Sequence, residues 1–142
     1  ALAGESGREQ GVDSPDPASR DARLAAAKAL ALRRHTAVLL SGPEDIVTDG
    51  TAAWCLPGGS DLMAFVTGTG CMLSVLCGVF AAVEPDPAKA AVLASAFWKV
   101  CSRRAEEAAA GRGPGTFRAA LMDAAASLTP ADFAALARIE QL

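Results

Sequence analysis

The residues best suited to chemistry are Val66-Thr67-Gly68-Thr69-Gly70-Cys71. Two glycines one residue apart make a tight loop, and glycine lets a ligand come close to the main chain. The apolar run 72–83 that follows is long enough for about three helical turns. The first N–H groups of such a helix have no partners within it, and the helix dipole adds partial positive charge at the same end. Together these make an anion site, most naturally for phosphate. Cys71 stands at the helix start, where a thiol's pKa tends to fall. A phosphate cradle with a nucleophile or base at its edge points to phosphoryl transfer. The same glycines also suit a plain packing turn, and the spacing alone leaves both readings open. No GxxxxGK[ST] occurs, and Leu73 stands where GxGxxG needs its third glycine. Neither a P-loop nor a dinucleotide fingerprint is present.

Positioning this loop is the task of the elements around it. Asp16-Pro17 predicts a helix start, with the helix running over 17–34 and Leu24, Ala27 and Ala31 on one face. Arg33, Arg34 and His35 crowd its last turn, and His35 reads as a helix-end residue. Ala37-Val38-Leu39-Leu40 reads as a buried strand covered on both faces. In open α/β sheets ligands bind beyond the carboxyl ends of strands. Ser41, at the end of this strand, is therefore a candidate ligand contact as well as a turn residue. Residues 45–56 predict a hairpin turning at Asp49-Gly50, a favoured two-residue turn. The helix 69–83 is apolar nearly all round and is expected to be buried, with Cys77 a small core residue. A long helix follows over 88–110. It turns Leu93, Phe97 and Val100 inward and Lys99, Arg103, Arg104, Glu106 and Glu107 outward. Arg103 and Glu107 have pairing spacing. Residues 111–115 read as irregular loop, Thr116 as the cap of a helix ending near Ser127, and Thr129-Pro130-Ala131-Asp132 as the cap of a last helix over 130–140.

The chain's 142 residues suffice for one domain, and 51% of them are hydrophobic. The net charge of −3, with no long basic run, speaks against a nucleic-acid partner. No apolar stretch reaches the roughly 18–20 residues a membrane span needs, and no signal peptide is visible. The chain begins without Met, which suits a processed product or a piece of something longer. Cys55, Cys71, Cys77 and Cys101 form no CxxC pair, and the single His35 lies far from them. This predicts free thiols in a reducing cytoplasm and no zinc site.

Several motifs fall in a recognisable order: Gly11-Val12-Asp13-Ser14, Val38-Leu39-Leu40-Ser41-Gly42, Asp45-Ile46-Val47-Thr48-Asp49-Gly50, Val66-Thr67-Gly68-Thr69-Gly70-Cys71 and Gly113-Pro114-Gly115-Thr116-Phe117. Together they resemble the C-terminal part of hydroxyethylthiazole kinase, across nearly the whole chain. The GTGC tetrad is the most specific of them. Related sugar and hydroxymethylpyrimidine kinases carry aspartate at the Cys71 position. The resemblance implies an α/β fold of the ribokinase-like three-layer type, of which residues 1–142 form a single domain: strands and a hairpin followed by a helical half. It implies transfer of the ATP γ-phosphate to the hydroxyl of 4-methyl-5-(2-hydroxyethyl)thiazole in thiamine biosynthesis. Cys71 would be the catalytic base. Gly68, Thr69, Gly70 and Cys71 would form the anion hole, Gly68 would line the substrate, and Ser41 would contact ATP. The resemblance also implies that the Mg2+ ligands and much of the thiazole pocket belong to a missing N-terminal part, and that the full-length form is a homotrimer with sites between subunits. Two other readings stand beside this one: an inactive fragment that keeps the phosphate loop and an oligomer surface, and a hydroxymethylpyrimidine kinase.

Overall fold

A computed structural model describes residues 19–142. Helix α1 spans Arg20–Arg34, with its N-cap at Ser19, whose hydroxyl accepts from the Ala22 N–H. Asp16-Pro17, expected to start this helix, lies outside the described residues, as do the segment 1–16 and the motif at 11–14. Ser19 has extended backbone angles, so α1 begins after it. His35 closes α1 in the left-handed conformation, as its place at the helix end suggested.

Three strands follow: β1 (Val38–Leu40), β2 (Asp45–Thr48) and β3 (Ala53–Leu56). A fourth, β4 (Glu140–Gln141), returns from the C-terminal end to pair with β3. The sheet is antiparallel throughout, in the order β1-β2-β3-β4. Its doubly covered strand is β2, buried at all four residues, whereas β1 is half-buried. β2 contacts both α1 and the helix α3 (Pro87–Ala109), so the sheet lies between the two. Val47 packs with Leu56, Ala88, Val92 and Ala96 on the α3 side. Strand alternation turns Ile46 and Thr48 toward the other face.

The β2–β3 connection is four residues, 49–52, rather than a two-residue Asp-Gly turn, because Thr48 pairs with Ala53. Asp49 organises it: its carboxylate accepts the N–H groups of Thr51 at 2.7 Å and Ala52 at 2.8 Å. Those two bonds hold the Asp49 carboxyl below its ordinary pKa.

A 3-10 helix, Asp61–Phe65, leads into α2 (Thr69–Ala81). Here the expectation of a buried helix fails. Leu73 alone is buried, while Val75 and Val79 are 67% and 59% exposed and Val83 beyond the helix is 81% exposed. Among the described residues α2 packs chiefly on α3, so one side of an apolar cylinder is covered. That covered side joins Val66, Trp98, Cys101, Ala105, Phe117 and Leu121 in the larger of two core clusters.

Asp86 caps α3 by accepting the Ala88 and Lys89 N–H groups, with Pro87 at its first position. α4 (Pro114–Ser127) begins two residues before the expected cap: Gly113 takes the cap position and Thr116 lies inside the helix. The segment expected to be loop through Gly115 is thus helical from Pro114, where proline's fixed φ suits a first turn. α5 (Pro130–Leu136) has the expected capping box, Thr129 and Asp132 each accepting from the other's backbone. It ends four residues early, because residues 140 and 141 pair with β3 instead.

Candidate functional site

The carboxyl end of β1 and the start of α2 border one cavity of about 260 Å³, lined by Leu39, Ser41, Gly70, Leu73, Ser74 and Cys77. Residues 29 positions apart in sequence, Ser41 and Gly70, therefore face the same space. Gly68 caps α2 with φ +98°, a conformation that side chains resist. Its carbonyl accepts the Met72 N–H at 2.9 Å, which is the first bond of the helix. The Thr69 N–H reaches back to the Val66 carbonyl at 3.5 Å. The N–H groups of Gly70 and Cys71 precede the first helical acceptor, and among the described residues no protein atom takes them.

A Cβ placed on Gly70 would meet nothing within 4 Å. Packing within the chain therefore does not require glycine there, and the space stays open for a ligand. Two contacts fix the loop. The Trp98 indole N–H donates to the Thr69 carbonyl at 3.1 Å, and the Thr69 hydroxyl donates to the Met63 carbonyl at 3.2 Å. The helix start is thereby tied to α3 and to the 3-10 helix before it.

Cys71, the third residue of α2, is exposed and does not line the cavity. Gly68 and Thr69 also stand outside its lining. Cys77, read from the sequence as core, is half-buried and forms part of the cavity wall. Burial first, and the Asp45 charge second, push its thiol pKa up. Ser74 and Cys77 were missed as wall residues because α2 looked uniformly apolar. Their spacing of four and seven from Gly70 puts all three on one helical stripe, a signal the sequence does contain.

Sequence reasoning also turned Lys99 outward, and the structure turns it in. Its ammonium lies 3.3 Å from the buried Asp45 carboxylate, and it donates to the Gly42 and Pro43 carbonyls at 2.9 Å each. Asp45 in turn accepts the Gly42 N–H at 2.8 Å and the Ser95 hydroxyl at 2.7 Å. Lone charges on an otherwise small-residue stretch of α3 give no hint of such a partner 54 residues away. Arg103 and Glu107 form no ion pair among the described residues, while Arg104 pairs with Asp132 at 3.0 Å.

Among the described residues no group of three His, Cys, Asp or Glu side chains could hold a metal ion, and no helix is long and apolar enough to cross a membrane. The described cysteines are free thiols.

The chain is 43% identical over 141 residues to the hydroxyethylthiazole kinase of Nitratidesulfovibrio vulgaris (strain Miyazaki F), covering 98% of this chain and 51% of that protein. It is 41% identical over 141 residues to that of Desulforudis audaxviator, covering 99% and 50%. The hydroxyethylthiazole kinase structure from Pyrococcus horikoshii OT3 superposes with a TM-score of 0.80 at 28% identity, over 86% of this chain and 47% of that one. The α/β arrangement is thus about half of a ribokinase-like fold, and the chain spans about half the length of the curated relatives it matches. Residues 1–131 match the model of the hydroxyethylthiazole kinase family. With that match and relatives 43% and 41% identical over nearly all of its length, the chain belongs to the hydroxyethylthiazole kinase family.

Proposed function

We propose that residues 1–142 form one folding unit that supplies the phosphate-handling part of an ATP-dependent kinase acting on the hydroxyl of 4-methyl-5-(2-hydroxyethyl)thiazole. One observation carries this reading: the open face of Gly70, with its unpaired N–H, shares a cavity with Ser41. In the proposed reaction the thiazole alcohol oxygen attacks the γ-phosphorus of ATP, the bond to the ADP oxygen breaks, and Cys71 takes the hydroxyl proton. The N–H groups of Gly70 and Cys71, with Gly68 and Thr69 shaping the turn, face the charge that builds on the transferring phosphate. Ser41 contacts ATP, and Gly68 borders the alcohol. The magnesium ligands are expected from the part of the full-length kinase outside these residues, and no step is derived through that ion. Family membership supports a homotrimer in the cytoplasm as the setting of the full-length kinase.

Hydrogen exchange tests the reading directly. Saturating phosphate or ATP should slow exchange of the amides at 70 and 71, which have no protein acceptor among the described residues. Unchanged exchange at both would remove the cradle. A second reading, a fragment inactive by itself, is favoured by the chain's half-length match to its relatives. It expects little or no thiazole kinase turnover from these 142 residues alone. A rate near the roughly 1–100 per second of ordinary kinases would overturn it.

A further inference from the structure

The hairpin connection 41–44 between β1 and β2 carries Ser41 to the cavity, yet its own sequence does little to fix its shape. Gly42 and Pro43 offer no side-chain donor, and none of the four residues adopts the left-handed angles that lock a tight turn. The shape is imposed from two sides. From α1, the Arg23 guanidinium donates to the Glu44 carbonyl at 3.1 Å and passes so near Gly42 that a Cβ there would sit 2.6 Å from its nitrogen. From α3 comes a more closed arrangement. Lys99 donates to the carbonyls of Gly42 and Pro43, and its ammonium forms an ion pair with Asp45. Asp45 spends one oxygen on Lys99 and the Gly42 N–H, and the other on Ser95. The side chains of Lys99 and Asp45 are only 13% and 4% exposed.

We propose that Lys99, Asp45 and Ser95 are positioning residues that clamp the 41–44 turn so that Ser41 is held at the cavity for a nucleotide phosphate. A hairpin this short closes without a buried ion pair, so the pair is not needed for the turn to exist. It decides where the turn sits. The arrangement also removes two obstacles to an anion. The Gly42 and Pro43 carbonyls are engaged by Lys99 rather than left to repel phosphate, and the negative charge of Asp45 is balanced by Lys99. The contribution is therefore geometric rather than a net positive field. Lys99 reaches the turn by passing over Gly59, where a Cβ would lie 2.7 Å from its Cδ.

This inference rests on the nucleotide reading of the cavity, and its test separates the two. Lys99→Met keeps the stem over Gly59 and deletes the three donors. The whole chain is compared with this variant by amide exchange at Gly42, Glu44 and Asp45, by thermal melting, and by affinity for ATP and for inorganic phosphate. Exchange at the turn should rise, and ATP affinity should fall, by roughly tenfold each, as expected for losing hydrogen bonds from a charged donor. Phosphate affinity should hold, because inorganic phosphate uses the start of α2 and not the turn. A folded Lys99→Met with unchanged turn exchange and unchanged ATP affinity overturns the clamp. An equal loss of ATP and phosphate affinity also overturns it, since that marks general damage. Should Lys99→Met fail to fold, Ser95→Ala replaces it, with the same pattern at roughly threefold expected. A parent chain that leaves its amides unprotected by both anions sinks the nucleotide reading instead, and turn exchange alone then decides the clamp.

Discussion

Gly70 and Gly68 lie two residues apart and are expected to respond oppositely to alanine. Gly70 has ordinary helical angles and open space where a Cβ would go, so Gly70→Ala should leave the fold intact or stabilise it by up to about 1 kcal/mol. It should nonetheless weaken phosphate binding, because the methyl group enters the cavity. Gly68 has φ +98°, so Gly68→Ala should cost about 1 kcal/mol or more through backbone strain. Denaturant titration and phosphate affinity, measured on both variants, check the pair. A Gly70→Ala that binds phosphate as the parent does would place the ligand elsewhere. The four thiols offer a second residue-scale test. Cys71 is exposed, whereas Cys55 and Cys101 are buried and burial pushes the Cys101 thiol up to about 11. A thiol reagent at neutral pH should label Cys71 first and reach Cys55 and Cys101 only on unfolding, as peptide mass mapping would show.

The capping box of α5 is a self-contained device at the scale of the element. Thr129→Ala should cost about 1 kcal/mol in denaturant unfolding, the usual value of a lost N-cap. Its partner Asp132 links the cap to acid. The Thr129 hydroxyl first, and the Arg104 guanidinium second, hold the Asp132 carboxyl below its ordinary 3.8. A carboxyl with a depressed folded pKa stabilises above its unfolded value, and the benefit is lost as pH falls through the folded value. The melting temperatures of the parent and of Asp132→Asn should therefore converge between about pH 5 and about pH 2. A constant gap would detach the cap from that titration. Local elements of this kind were legible in the sequence: the α5 cap, the end of α1 at His35 and the glycine loop all announce themselves within four or five residues. What escaped is long-range. β4 is two residues without periodicity, the inward turn of Lys99 depends on a partner in β2, and the exposure of α2 depends on how many neighbours the chain provides.

At the scale of the whole molecule, the exposed apolar side of α2 departs from an ordinary polar surface. Val75 and Val79, four residues apart, form one stripe on α2, with Val83 beyond the helix and Phe65 before it further exposed apolar residues at 81% and 72%. Such a stripe should bind a hydrophobic fluorescent dye in the folded state, and Val79→Lys should lower that signal without lowering the melting temperature. Equal dye binding by both proteins would show the stripe to be inaccessible in solution. At the opposite side of the sheet, β4 has a consequence for handling the protein. Trp54 pairs with Gln141, Cys55 pairs with Glu140, and the Leu142 N–H donates to the Ala53 carbonyl at 2.9 Å. The last residues thus act as a lid on the rim of β3, occupying hydrogen-bonding groups that would otherwise be free to recruit a strand from another molecule. Trimming 137–142 leaves every helix in place but uncovers that rim. The shortened protein should keep its helical circular dichroism while growing larger with concentration in light scattering.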